Sequence, residues 1–154
     1  MDDYAPATYD FSLQNLHSRS THLPLELYDL SLSAPALQDE IDKLTRQIEN
    51  LPSTTRQMIS WLNQAPQLPS QQAIADIQEI SNQCHQAFDR IGEISANLRE
   101  GGFDDDGSMR DRLLSNSVHR KELLYLTALL EAMSLTMNVM IHTFEAARVS
   151  ADPR

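Results

Sequence analysis

The sequence predicts an all-α protein: an antiparallel helical bundle of three to four long helices with a flexible acidic N-terminal arm. Two observations carry this prediction. Only four glycines and 6% aromatic residues occur in 154 residues, which is too few for a typical protein of strands and turns. Apolar residues also recur at alternating steps of three and four over long stretches, the pattern of one helix face. A chain of this length forms one domain that buries about two-thirds of its unfolded surface.

Residues 1–33 show no sustained apolar period and are predicted to form a polar, mobile arm. Their five acidic side chains against Arg19 leave a local excess of four negative charges. The leucines between Leu23 and Leu32 keep open an alternative, a short strap lying on the core. The predicted organisation is therefore an arm over residues 1–33, a bundle domain over 34–149 and a disordered tail over 150–154.

The first helix of the bundle is predicted from Ala36 onward. Its apolar register continues across Pro52, which removes a backbone donor and crowds the preceding turn. The helix therefore either kinks there or restarts with Ser53 as its cap, and the unbroken register favours one kinked helix. The stripe consists of Leu37, Ile41, Leu44, Ile48, Leu51, Met58 and Leu62.

Two more helices follow a proline-containing connector at residues 63–70, in which Ser70 is placed to cap the next helix. That helix runs to about Glu100, and its apolar face is wide enough to pack against two neighbours. The last helix extends from Met109 to about Arg148, with a break considered at 115–117. It is apolar nearly all round, so it should be the most buried. The bundle would run up-down-up, with the arm or a partner on the fourth side.

Charge and cysteine content restrict the partners and the compartment. The net charge of −10 and pI of about 4.7 repel phosphate backbones and anionic lipid, so nucleic acid is not expected as a partner. Cys84 is the single cysteine, and the N-terminus lacks a basic-then-apolar secretory signal. An intracellular location, cytoplasmic or nuclear, is expected.

Residues 126–144 need testing as a membrane span, because they hold one charged residue, Glu131, over a length that crosses most of a bilayer. Six polar residues interrupt the stretch, and together with Glu131 they would cost several kcal/mol on insertion. The stretch is therefore interpreted as a buried core helix, and a membrane is not expected as a partner.

No residue pattern indicates catalysis, a cofactor or a metal. The acidic loop 103–107 resembles part of a calcium-binding EF-hand, but Gly102 and Leu113 stand where the first and twelfth ligands should be. The five histidines show no pair with a third ligand at metal-site spacing. No nucleophile elbow, phosphate loop or dinucleotide fingerprint is present. We therefore expect a protein that is not an enzyme, with no catalytic, cofactor-binding or metal-binding residues.

The width of the apolar faces on the second and last helices instead indicates a partner-binding face. The face includes three methionines, and methionine is common at adaptable binding surfaces. The competing interpretation is that these methionines only fill the core. The predicted function is a non-enzymatic interaction module, of signalling or adaptor type, that binds a protein partner or forms a homo-oligomer. The alternatives are a structural subunit of a larger helical complex and a membrane-acting cell-death domain. The predicted face consists of Phe88, Ile91, Leu126, Leu130, Met133, Met137, Met140 and Phe144.

Three stretches carry a resemblance to a known family: residues 36–51, residues 80–84 continued through Phe88 and Ile91, and residues 120–126 continued through Met140. They are similar to helices of the amino-terminal domains of fungal STAND-type (NOD-like) receptors and related fungal proteins of unknown function. The resemblance implies an all-α bundle used in signalling or self-association. Some relatives act on membranes through a glycine- and alanine-rich amino-terminal helix, whereas residues 1–32 here are acidic and polar.

Overall fold

The computed structural model describes residues 8–64, 70–101 and 109–151, and these residues form an all-α bundle, as predicted. Helix α1 spans Thr8–Ser33, α2 spans Gln38–Gln64, α3 spans Gln71–Gly101 and α4 spans Met109–Ala151. A short 3₁₀ turn, Pro35–Leu37, joins α1 to α2. The described residues include no strand.

Helices that follow each other in the chain run antiparallel, but their order around the bundle is α1, α2, α4, α3. Each helix packs on two others, and the pairs α1/α4 and α2/α3 lie across the diagonals. The early part of α2 meets the early part of α4 at Glu40 and Arg120, and the late parts meet at Trp61 and Phe144. Helices α2 and α4 are therefore parallel neighbours, and the same holds for α1 and α3.

Local sequence explains the boundaries and continuity of α2 and α3. The backbone N–H of Ala73 donates to the side-chain oxygen of Ser70 at 3.1 Å, which confirms Ser70 as the cap of α3. Helix α2 continues through Pro52, as its register predicted. A proline inside a helix costs about 3 kcal/mol, and the buried Ile48, Leu51 and Met58 around it offset that cost.

The prediction of a mobile arm is wrong for residues 8–33, which form α1. Leu13, Leu16, Leu27 and Leu30 are buried in the core, and Ser20 is buried between them. With Leu23 they follow steps of three and four, so α1 does carry a helical stripe. Ser20 and Pro24 interrupt its apolar character, and this interruption hid the period. The amino-terminal helix supplies the fourth side of the bundle, which is one of the two possibilities that the sequence leaves open for that side.

The boundaries of α4 also differ from the prediction. The helix is continuous across residues 115–117, although the sequence allows a break there, and it includes residues 150 and 151, which the sequence places in the tail. The predictions for residues 1–7, for the connector at 65–69, for the acidic loop at 103–107 and for residues 152–154 lie outside the described residues.

One continuous core fills the centre of the bundle and draws on all four helices. Leu13, Leu16, Leu27 and Leu30 come from α1, Ile41, Leu44, Ile48, Leu51 and Met58 from α2, Ile77, Ile80, Cys84, Phe88, Ile91 and Ile94 from α3, and Leu123, Leu126, Leu130, Met137 and Ile141 from α4.

Candidate interaction surface

The predicted partner-binding face lies inside the bundle, so this prediction is wrong. Phe88, Ile91, Leu126, Leu130 and Met137 are buried in the core of the same chain. The other three members, Met133, Met140 and Phe144, are partly buried and pack against that core. Once α1 covers α3, and α2 and α3 together cover the inner side of α4, the apparently excess width of these faces is used within one chain.

Met137 fills the core and Met133 and Met140 pack against it, in line with the competing interpretation of the methionines. The ring of Phe144 stacks on Trp61 with centroids 4.5 Å apart and an interplanar angle of 25°. Such an aromatic pair adds about 0.5–1.5 kcal/mol beyond its buried area. This contact fastens the late part of α4 to the end of α2.

A second stripe runs along the opposite side of α4 and faces solvent. Val139 follows Leu130 by nine residues, about two and a half turns, so the two side chains leave the helix on opposite sides. All ten members of this outward stripe are exposed. It consists of Val118, Lys121, Tyr125, Ala128, Ala132, Leu135, Val139, His142, Ala146 and Val149.

The outward stripe is unusually apolar for a solvent-facing surface. Tyr125 is 65% exposed, Leu135 59% and Val139 64%, and Lys121 and His142 are its only ionisable members besides the tyrosine. By length and composition α4 would pass as a membrane span, and only 28% of its most apolar window is buried. Because a core helix is mostly buried, the core alone does not account for the apolar character of α4.

A shorter apolar patch lies on the second half of α1. Leu25, Tyr28 and Leu32 are all strongly exposed and are spaced by three and four residues, so they share one side of the helix. Glu26 and Asp29 accompany them on the exposed surface. Because α1 and α4 lie across a diagonal of the bundle, this α1 patch and the outward stripe face opposite directions.

A polar network joins α1 to α3. Arg19 donates to Nδ1 of His85 at 3.0 Å and forms an ion pair with Asp89 at 2.7 Å. Its guanidinium also lies 5.4 Å from the ring centroid of Phe88. Because arginine only donates, Nδ1 of His85 must accept, which leaves its Nε2–H to donate to the Ser12 carbonyl at 3.3 Å. The network holds α1 on α3 and is structural in character.

Two ion pairs join the remaining helices. Arg90 on α3 binds Glu122 on α4 through two N–H groups, and Arg120 on α4 binds Glu40 on α2 at 2.9 Å. The hydrogen bond from Arg90 lowers the pKa of Glu122 against the opposing effect of burial. These pairs sit on the flanks of α4 that face α3 and α2, on either side of its buried stripe.

The grooves of the bundle do not resemble a small-molecule site. One of about 580 Å³ lies between α1 and α3, and one of about 470 Å³ lies between α2 and α4. The first is lined by charged side chains and by apolar ones such as Leu23 and Phe88, and the second mostly by uncharged polar ones, together with Leu135 of the outward stripe. Small-molecule sites are typically concave and enclose most of the surface of their ligand, whereas both grooves are open to solvent.

The groups that could carry chemistry are not arranged for it in the described part of the chain. Cys84 is a free, buried cysteine, and burial raises its pKa to about 12, so it stays a thiol and not the reactive thiolate. No group of three or more His, Cys, Asp or Glu side chains in the described ranges could hold a metal ion.

Comparison with known proteins adds no family. No protein-family model matches the sequence, and no curated protein or solved structure matches it either. The resemblance to the fungal STAND-type amino-terminal domains therefore stays a prediction.

Proposed function

We propose that the protein is a non-catalytic interaction module, in which a four-helix core presents the outward stripe of α4 to another protein surface. The observation that carries the proposal is the continuity of that stripe. Ten exposed positions, eight of them occupied by Val, Leu, Ala or Tyr, follow one side of a single helix from Val118 to Val149.

The size of the stripe supports a binding role. Thirty-two residues of helix are about 48 Å long at about 1.5 Å per residue, and a stripe about 10 Å wide along that length has an area of about 480 Å². The largest apolar patch on a typical soluble monomer covers about 300–600 Å² and is often functional. The outward stripe falls within that range.

The charge of the chain supports the same role. A net charge of −10 keeps the chain soluble, while the middle of the stripe, from Tyr125 to Val139, carries no charged member. A surface without charges beside a strongly charged remainder is typical of the centre of a protein interface. Because the core holds α4 on two neighbours, binding there would order little additional chain.

The proposed class is a signalling or adaptor module that works inside the cell, in line with the resemblance to the STAND-type domains. The alternative is a structural subunit of a larger helical complex. Such a subunit would depend on its neighbours to fold, whereas a module should unfold cooperatively on its own, because all four of its helices share one core. A cooperative melt of the isolated chain favours the module, and a chain that is insoluble or unfolded alone favours the subunit.

The test is affinity purification with cross-linking mass spectrometry from cells that express the protein naturally, comparing the unchanged chain with Leu135→Glu. We expect Leu135→Glu to lose the partner and to melt at an unchanged temperature, because the side chain faces solvent. Leu25→Glu, at a leucine of the α1 patch that is also exposed (72% against 59% for Leu135), is the matched control and should keep the partner. Cross-links confined to other surfaces, or a partner retained by Leu135→Glu, would refute the proposal.

The membrane-acting alternative has one observation in its favour, the length and apolar composition of α4. To enter a bilayer, α4 would have to leave the core and abandon the buried side chains between Leu123 and Ile141. Leakage of a dye from anionic and zwitterionic liposomes measures this directly. Release by the unchanged chain, abolished by Leu135→Glu, would establish the membrane function instead of the protein-binding one.

A further inference from the structure

We propose that the outward stripe binds a second copy of itself, with two α4 helices packed antiparallel about a two-fold axis between residues 133 and 134. This inference rests on the proposed function and names its partner. Three features of the stripe carry it: its heptad spacing, the pairing of large with small residues when it is reversed, and the pairing of opposite charges.

The spacing of the stripe is that of a coiled-coil seam. Its ten members are separated by strictly alternating steps of three and four residues over more than four heptads, which is the length at which such a pattern indicates a coiled coil. The buried side of α4 follows the same rule within the bundle. Helix α4 therefore carries two seams. One packs against α2 and α3 within the chain, and the other is not covered by any of the described residues.

Reversal of the stripe about its centre makes its large and small residues complementary. Across the axis, Ala132 of one copy meets Leu135 of the other, and Ala128 meets Val139. At the centre of the seam each large side chain thus enters the space left by an alanine, which lets the two helices approach closely there. Nearer the ends, Tyr125 meets His142 and Val118 meets Val149. A parallel pair would instead set alanine against alanine and leucine against leucine, leaving gaps and bulges along the seam.

The charges favour the same direction. In the antiparallel arrangement Lys121 lies opposite Ala146 and beside Glu145 of the other copy, and Tyr125 lies opposite His142. In a parallel arrangement Lys121 would face its own copy, which is repulsive. Glu145 is exposed, and its contact with His142 in the same chain is long at 3.7 Å, so its carboxylate is accessible to a lysine from outside.

The surface area buried between the two copies indicates how stable the dimer should be. Two stripes of about 480 Å² bury about 960 Å² in total, below the range of about 1,200–2,000 Å² for stable complexes. The dimer should therefore be weak and concentration-dependent. The interface is isologous, as in most protein dimers, and it leaves the α1 patch on the far side of each bundle uncovered.

The first experiment is sedimentation equilibrium of the full chain from low to several hundred micromolar, with charge reversals at the ends of the stripe. Lys121→Glu and Glu145→Lys should each raise the dimer Kd about tenfold, because each loses two symmetry-related ion pairs. The double variant should restore the original Kd. Leu25→Glu is the matched control and should leave the Kd unchanged.

Helix direction is tested by double electron–electron resonance on Val118→Cys, spin-labelled, with the buried Cys84 left in place. The antiparallel dimer places the two labels about 46 Å apart, from the rise of about 1.5 Å per residue. A parallel dimer would hold them about one helix diameter apart, about 10 Å, and that result would overturn the inference.

The remaining outcomes separate this inference from the proposed function. A chain that stays monomeric throughout, while Leu135→Glu still loses a cellular partner, overturns the dimer and leaves the interaction module standing. A dimer that survives Val139→Glu and is lost in Leu25→Glu uses the α1 patch and overturns the dimer proposed here, and the loss or retention of a cellular partner in Leu135→Glu then decides the proposed function. A dimer that is lost in Val139→Glu, weakened by each single charge reversal and restored when the two reversals are combined supports both.

Discussion

The role of α1 as a core helix can be tested with two leucines of the same helix. Leu16 is fully buried between the other helices, whereas Leu25 is 72% exposed. Truncation of a buried leucine to alanine costs about 2–5 kcal/mol, through lost transfer free energy and the cavity left behind. Truncation of an exposed one stays within about 0.5 kcal/mol. The two substitutions remove the same atoms, so their difference measures burial alone.

For a domain of this size each kcal/mol shifts the melting temperature by about 2–4 °C. A cost of about 3 kcal/mol, within the range for a buried leucine, therefore lowers the melting temperature of Leu16→Ala by about 6–12 °C. Leu25→Ala should lie within about 2 °C of the unchanged chain. Circular dichroism at 222 nm during thermal and urea unfolding measures both variants.

The urea data add a second criterion. If α1 unfolds together with the core, Leu16→Ala should lower the urea midpoint and leave the slope of the transition unchanged, because the same surface is exposed on unfolding. If Leu16→Ala lowers the urea midpoint no more than Leu25→Ala does, the reasoning is refuted, because α1 would then be a detached arm. A separate early transition for α1 would likewise refute it.

Three further predictions concern the contacts of α3 and α4. A double-mutant cycle on Trp61→Leu and Phe144→Leu should give a coupling of about 0.5–1.5 kcal/mol in urea unfolding, and additive effects would mean that the rings do not stack. Because Arg90 lowers the pKa of Glu122 in the folded chain, this carboxylate stabilises the fold above its unfolded-state pKa, and the gain is lost as pH falls through the folded-state pKa. Glu122→Gln should therefore lower the urea midpoint at neutral pH and converge with the unchanged chain in acid; a difference that persists at low pH would contradict this. The thiol of Cys84, with a pKa raised to about 12, should react with iodoacetamide only after unfolding, and rapid labelling of the native chain would show that it is accessible.

The sequence predicted α2, α3 and α4 because their core positions are occupied by large apolar residues almost without interruption. The register Leu37, Ile41, Leu44, Ile48 crosses the start of α2 and continues past Pro52, and the structure buries all four. Here pattern and packing agree, since a run of large apolar residues at this spacing can be satisfied only by burial. The polar residue at a later core position of α2, Thr55, is also buried, and its hydroxyl donates to the Leu51 carbonyl at 2.9 Å.

Helix α1 was missed because its core positions are mixed. Ser20 occupies a fully buried position, which a helix accepts because the hydroxyl donates to the His17 carbonyl at 2.9 Å and so does not need water. Pro24 then lowers the local expectation of a helix. Tertiary packing on α2 and α3 outweighs both effects, and such packing is invisible in one segment taken alone.

The exposed apolar side of α4 was missed for the same reason. The sequence predicts only three helices for the core. The apolar stripes through Phe88 and Leu130 are then wider than two neighbouring helices of the same chain can cover. Adding α1 accounts for them and leaves the opposite side of α4 exposed. The signal was present in the sequence, since Val118, Tyr125, Ala132 and Val139 repeat every seven residues, but Lys121 and His142 break the apolar run. Which of two seams on one helix faces inward depends on the neighbours that cover it.

Hydroxyl-radical footprinting tests most directly whether the outward stripe is a binding surface, because it reports burial whatever the occupant. Oxidation of Tyr125, Leu135 and Val139 is compared between the purified chain at low concentration and the same chain inside cells that express it. The interaction module predicts strong oxidation of the three side chains in the purified chain and protection in cells, with the core residue Leu130 protected in both. Equal oxidation of the stripe in both settings would contradict the proposed function.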